Sequence, residues 1–408
     1  MKFKEYVLGE IVDIRSSKRI YYKDYVDNGV PFYRSKEIIQ KSKGLNIDNP
    51  LYISLEKFDE VKNKYGVPKS NDILLTSVGT IGIPYLVKDD DQFYFKDGNL
   101  TWFSNFSKDI VPRYLLYWFQ SKVGKKAIDN IVIGSTQKAL TMVQLKKVQI
   151  ELPSIDVQEK IVSIIDSLDS KIELNNQMIA TLEELAATLF KRWFVDFEFP
   201  DKNGDPYKSS GGKMVASELG EVPEGWEVSQ LKNIATIIMG QSPKGTSYNT
   251  EGNGLPLING ASDFKNGIIT PQKYTTEPKK ITQSKDFIFG VRATIGGTVE
   301  VGKEYAIGRG AGIARAKEVE LREYLFLIMN KLFNFFSETA TGSVYINISR
   351  KDFEDYEFVR PSSDIIDSFH KLMEPIFIET RNKREENKYL VEIRDVLLPK
   401  LLSGELEV

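Results

Sequence analysis

Two stretches of the chain carry apolar residues in alternating steps of three and four, and these predict its longest helices. In the first, Ile161, Ile165, Leu168, Ile172, Asn175, Ile179, Leu182, Ala186, Leu189 and Trp193 keep an unbroken heptad seam with one polar residue, Asn175, near its centre. In the second, within residues 364–402, Phe369, Leu372, Ile376, Lys383, Leu390, Ile393 and Leu397 fall on a comparable face, again most polar in the middle. Antiparallel pairing brings the two polar centres together, and a buried polar centre fixes register at some cost in stability. A helix of ~38 residues is ~57 Å long at 1.5 Å per residue, so the expectation is a paired rod with a globular unit at each end.

Outside the helices the pattern changes. Short β-branched and aromatic runs at residues 73–78, 93–95, 287–291 and 307–314 are broken by Gly, Pro and Asn, with helices expected near 112–128 and 321–336. That is a strand-rich α+β pattern. The apolar runs "YLLYWF" and "YLFLIM" in those helices are read as core faces.

The two globular stretches are copies of each other. "NDILLTSVGTIG" (71–82) matches "KDFIFGVRATIG" (285–296), and "GSTQKALTMVQLKKVQIELPS" (134–154) matches "GSVYINISRKDFEDYEFVRPS" (342–362). Upstream, "LGEIVDI" from Leu8 pairs with "LKNIATI" from Leu231, and "GVPFYR" from Gly29 with "GLPLIN" from Gly254, in the same order. The fold class expected is therefore α+β: two repeated globular domains separated by two long helices that pair as an antiparallel coiled coil. Between the repeats, residues 200–215 have the Gly, Pro and Ser content of a linker.

Composition narrows the chemistry. At 408 residues, 41% hydrophobic and 27% charged, the chain has apolar material for two or more cores. Zero cysteines exclude disulfides, thiolate catalysis and cysteine metal sites, and the single histidine, His370, makes a multi-histidine metal site impossible. No apolar run approaches the ~20 residues that span a bilayer, and the N-terminal "MKFKEYVLGE" lacks the apolar core of a signal peptide. A soluble, cytoplasmic protein is expected. The net charge of -2 hides an uneven distribution: residues 1–150 are net +7 and 240–317 net +5, whereas 155–199 are net -5 and 364–408 net -3. Two basic blocks alternating with two acidic ones fit a polyanion on the globular domains and protein or water on the helices.

Catalytic signatures fail one after another. In "GQSPKGT" (240–246) the lysine precedes the glycine and so misses the Walker position, and "GRGAG" (308–312) lacks the dinucleotide spacing. There is no Asn/Asp-Pro-Pro-aromatic stretch of the adenine methyltransferase type. Asp201, Asp205 and Lys208 have the wrong spacing for a nuclease, and His370, beside Phe369, reads as a packed or capping residue. Binding remains. The basic domains offer Lys18, Arg19, Arg34, Lys36, Lys138, Lys244, Arg292, Arg309 and Arg315 for phosphates and base edges. The strand-to-turn segments "TSVGTIG" and "VRATIG" add Ser77, Thr80 and Thr294 where glycine permits close backbone approach.

The repeat, the heptad helices and above all the central run from Leu189 to Val228, "LFKRWFVDFEFP" followed by "PYKSSGGKMVASELGEVPEGWEV", resemble the specificity subunit of type I DNA restriction-modification systems. The resemblance covers essentially the whole chain. It implies target-recognition domains at 1–153 and 217–361, spacer helices at 154–199 and 362–408, and a linker at 200–216. It further implies a non-catalytic subunit that reads a split, asymmetric duplex DNA site and docks two methyltransferase subunits, with restriction subunits in the full complex. S-adenosylmethionine, ATP and Mg are expected in those partners and no cofactor in this chain. Phe190, Trp193, Phe194 and Phe197, aromatic residues beyond the seam, are candidates for the docking surface; covering the base of a recognition domain is the alternative. An enzyme with an unrecognised methyltransferase or nuclease site, and a protein-only scaffold, are the competing classes.

Overall fold

The computed structural model describes residues 2–134, 138–265, 267–291, 296–339 and 348–408. The chain forms two compact units, residues 1–174 with 387–408 and residues 175–386, so each unit takes part of both long helices.

Those helices run Ile155–Phe194 and Ser363–Ser403. Every position of the first seam is buried or half-buried. The second seam is shifted at two points. Its inward stripe is Ile366, Phe369, Met373, Ile376, Thr380, Lys383, Asn387, Leu390, Arg394, Leu397 and Leu401, whereas Leu372 and Ile393 are exposed. Arg394 takes the inward position because its guanidinium is spent on Asp169 at 2.9 Å, which lets its aliphatic stem lie in the seam. Thr380 returns its hydroxyl to the Ile376 carbonyl at 2.8 Å. The pairing is antiparallel: in the second unit Asn175 donates to Glu386 at 3.1 Å, Arg384 pairs with Glu183, and Trp193 meets Phe369 at 5.5 Å between ring centroids. The polar centres of the two seams thus do meet.

The repeat holds element by element. In the first unit Lys4–Val7 pairs antiparallel with Gln149–Leu152; in the second Glu227–Gln230 pairs with Glu357–Arg360. One-turn helices follow, Leu8–Ile11 and Leu231–Ile234, then strands Asp13–Arg15 and Ala235–Met239, then 3-10 turns Tyr22–Asp24 and Gly245–Ser247. The central strands Ile73–Thr76 and Phe287–Gly290 are equivalent, and among the described residues each globular domain has one parallel pairing, Phe32 beside Tyr94 and Ile258 beside Ile307. Gly29 and Gly254 are required at equivalent places, since a Cβ would lie 2.2 Å from the Ile53 carbonyl oxygen and 2.1 Å from that of Thr275.

The copies differ in their sheets and in the elements inserted between strands. The first unit has two four-stranded sheets because Tyr94–Phe95 and Leu100–Ser104 are separate strands; in the second, Ala306–Ala316 runs unbroken and joins its partners into one seven-stranded sheet. The first unit carries helix Ser35–Ser42 where the second has the hairpin Phe264–Lys265 and Ile268–Ile269, and helix Leu55–Tyr65 where the second has no helix among its described residues between Lys273–Thr275 and Phe287–Gly290.

Each domain is fastened to the long helix that follows it. In the first unit Tyr117 donates to Asp166 and Asp169, and Arg113 pairs with Asp166. The buried Gln158 amide donates to the Asp109 and Pro153 carbonyls and accepts from the Val111 N–H, which satisfies it. In the second unit the buried Glu323 carboxylate meets His370 Nδ1 at 2.6 Å, so His370 is a packed residue.

The segment read as a linker is folded. Phe199 stacks between Tyr207 at 4.6 Å and Trp226 at 4.9 Å, Asp201 caps the amides of Asn203 and Asp205, and the Tyr207 hydroxyl donates to the Lys213 carbonyl. Its Gly, Pro and Ser residues make tight turns over an aromatic stack. No helix among the described residues is long and apolar enough to cross a membrane.

Candidate nucleic-acid interface

In the first unit the segment from Tyr94 to Leu100 is a hub on which the basic loops converge. Ser16 and Ser17 hydroxyls donate to the Leu100 and Phe95 carbonyls, the Lys18 N–H to the Tyr94 hydroxyl at 2.7 Å, and Arg19 pairs with Asp97 at 2.8 Å. Ser35 and the Ser77 N–H both donate to the Asn99 carbonyl, and the Leu140 N–H donates back to Ser77. The loop that carries Gly79 and Thr80 is closed by Thr76, whose carbonyl accepts from Gly82 and whose hydroxyl accepts from Ile83. Lys18, Arg19, Arg34, Lys36, Thr80 and Lys138 lie on or beside segments tied into this network, each at least partly exposed.

The second unit repeats this frame. The Gly240 and Gln241 N–H groups donate to the Ala311 and Ile307 carbonyls, and the Val291 N–H to the Gly310 carbonyl, as Ser77 does to Asn99. Lys244 and Arg309 stand exposed on these segments. Arg292 and Thr294 lie outside the described residues.

Three candidates are corrected by their surroundings. Ser77 is buried and shares a hydrogen bond with Thr101 at 2.7 Å, so it is a strut of the frame. Arg315 is bidentate to the buried Asp286 at 2.7 Å on both arms. Asp286 is the counterpart of Asp72, which accepts from the Trp102 indole N–H at 2.8 Å, so the same strut is built with a different donor. Arg34 keeps part of its surface, but its guanidinium and backbone N–H both donate to Glu37 at 2.7 and 2.8 Å. Burial works against the Glu37 charge, and the Arg34 donors outweigh it, holding that carboxyl below the usual range. Arg19 remains exposed although paired.

The aromatic residues proposed for docking are core. Phe190, Trp193 and Phe194 are buried, and Phe194 meets Tyr324, Phe369 and Trp226 with centroids 4.7, 4.7 and 5.9 Å apart. Phe197, half-buried, lies edge-on to Trp226 at 5.6 Å. They cover the base of the second globular domain. The large apolar residues left in water are elsewhere on the helices: Ile164, Leu174, Tyr389, Ile393 and Val396 in the first unit, and Met178, Leu185, Leu372 and Ile378 in the second.

The sequence reading also passed over Tyr21, Tyr22 and Tyr65, exposed beside Lys18 and Lys23. The signal was present as "KRIYYKD", basic residues interleaved with aromatic ones.

The sequence matches the family model for the type I restriction modification DNA specificity domain over residues 1–184 and 223–386. It is 30% identical to the type I restriction enzyme MjaIX specificity subunit of Methanocaldococcus jannaschii, over 73% of this chain and 70% of that protein. It is 26% identical to the HindI specificity subunit of Haemophilus influenzae over 99% of both. Among solved structures, a type I restriction-modification S subunit from M. genitalium superposes with a TM-score of 0.62 at 14% identity, covering 98% of this chain and 96% of that one, a likeness of fold.

Proposed function

The chain belongs to the family of type I restriction-modification DNA specificity subunits, and on that premise we propose that its two globular domains read the two halves of a split, asymmetric DNA site. Specificity subunits recognise rather than catalyse, which sets aside the enzyme alternative. The reading rests chiefly on one observation: two copies of the same loop frame present exposed cations of different identity, Lys18, Lys36 and Lys138 on one and Lys244 and Arg309 on the other. A shared frame with different side chains suits two different half-sequences. Phosphate contacts from such residues set affinity and position, and base-edge contacts set sequence.

The acidic helices would dock two methyltransferase subunits, with restriction subunits joining the full complex. The partners would hold S-adenosylmethionine, ATP and Mg. The surface best suited to docking is the outward stripe Tyr389, Ile393 and Val396 of the first unit, at helical spacing of four and three.

The test uses the chain assembled with its methyltransferase. Lys18→Glu with Lys138→Glu, and separately Lys244→Glu with Arg309→Glu, should each weaken duplex binding and lower the salt slope by about one per lost phosphate contact. Unchanged affinity, salt slope and methylated motif in both double variants would overturn the reading.

A further inference from the structure

The turn that follows the first edge strand of the central sheet differs between the copies in what it holds out to solvent. In the first unit it presents Tyr21 and Tyr22, 59% and 89% exposed; in the second the equivalent residues of the turn before Gly245–Ser247 are Lys244 and Gly245. A mobile loop would let a tyrosine ring fold back on its own surface. This loop is pinned: the Tyr21 N–H donates to the Asp24 carboxylate at 3.0 Å, Asp24 N–H returns to the Tyr21 carbonyl at 2.9 Å, and Ser17 and Lys18 are tied to Phe95 and Tyr94. Tyr22 is therefore held outward, edge-on to Tyr25 at 6.0 Å.

Its surroundings specify the partner. The Lys18 ammonium lies over the ring of Tyr65 at 5.4 Å, itself 43% exposed at the end of helix Leu55–Tyr65, where Lys62 and Lys64 also face water. Lys23 adjoins Tyr22, while Asp24 is spent on the turn and Asp97 on Arg19. Exposed aromatic rings among unspent cations suit a surface that is anionic outside and flat and apolar within, which is a nucleic-acid duplex with an opened base step.

We propose that Tyr22 wedges into a base step of the half-site read by the first globular domain, with Lys18 and Lys23 on the flanking phosphates. This rests on the reading above that both domains bind DNA, and it makes the duplex distortion one-sided. The second unit has glycine where the wedge would be, so its half-site stays stacked at the corresponding step.

The experiment takes the chain in its methyltransferase complex, on a duplex whose two half-sites have been mapped by the adenines it methylates. 2-Aminopurine is placed in turn at each position of both half-sites except the methylated adenines, which the methyltransferase flips out of the stack in either half. Binding should change its fluorescence at one step of one half-site only. Tyr22→Ala should remove that change and weaken binding about tenfold, whereas Tyr22→Phe, which keeps the ring, should retain both. Because the side chain is almost wholly in water, neither variant disturbs the core. Equal changes in both half-sites, no change in either, or a change that survives Tyr22→Ala in a complex that still binds would overturn the wedge. If the unsubstituted complex binds no duplex at all, the DNA reading itself falls, and the wedge with it.

Discussion

Replacing Phe194 by alanine tests whether the aromatic end of the first long helix is core or docking surface. The ring is buried and meets five others, Phe190, Trp193, Trp226, Tyr324 and Phe369, at 4.7 to 6.2 Å. A buried Phe→Ala change costs about 3–5 kcal/mol, and aromatic pairs add roughly 0.5–1.5 kcal/mol each beyond area burial. The upper part of the first range is therefore expected, because these rings are rigid and close poorly over a hole. A loss of about 4–5 kcal/mol shifts the unfolding equilibrium by roughly three orders of magnitude or more, a large share of the ~5–15 kcal/mol a domain has. Urea denaturation followed by hydrogen exchange in helix Arg322–Thr339 and in residues 363–386 reads the effect directly. If the variant keeps its midpoint and exchange protection within about 0.5 kcal/mol yet no longer co-purifies with a methyltransferase, Phe194 is a docking residue and the packing argument is wrong.

The Glu37 carboxyl, held low in the fold, contributes stability that is present above its ordinary value of 4.5 and is lost as pH falls through its lower folded value. Glu37→Gln should flatten that acid-side loss in a pH series of thermal melts. Arg394→Ala leaves Asp169 with the Tyr117 hydroxyl as its remaining side-chain donor and should destabilise the first unit by about 1–3 kcal/mol, read by denaturation. Ile393→Glu with Val396→Glu, both exposed, should leave stability unchanged but abolish methyltransferase co-purification; intact co-purification would refute docking there. A heptad inserted after Asn176, matched by one near Glu385 to keep the seam in phase, lengthens each helix by about 10 Å. The spacer of the methylated site should then grow by up to three base pairs at about 3.4 Å each, with both half-sequences unchanged; the original spacer in an active assembly would refute a ruler.

What was legible in the sequence was whatever depends on local periodicity or on self-similarity. The first seam could be read because all but one of its inward positions are apolar. The second could not at two points, because Arg394 and Met373 take inward places beside the more hydrophobic Ile393 and Leu372, and at Arg394 the choice depends on Asp169, far away in sequence. The same non-locality governs the candidate site. Composition marks Arg309 and Arg315 alike as cations on a basic strand. Arg315 is consumed by Asp286, 29 residues upstream, and Arg309 is left to the solvent. The repeat does align Asp72 with Asp286, which flags a shared structural need for a buried carboxylate there. It does not reveal the donor, because one copy uses the Trp102 indole and the other a guanidinium. Where two copies keep an acid and change its partner, the pair is frame. Where they keep a backbone turn and change an outward side chain, as at Tyr22 and Gly245, nothing in the frame selects the residue, which leaves it free to serve a contact outside the chain.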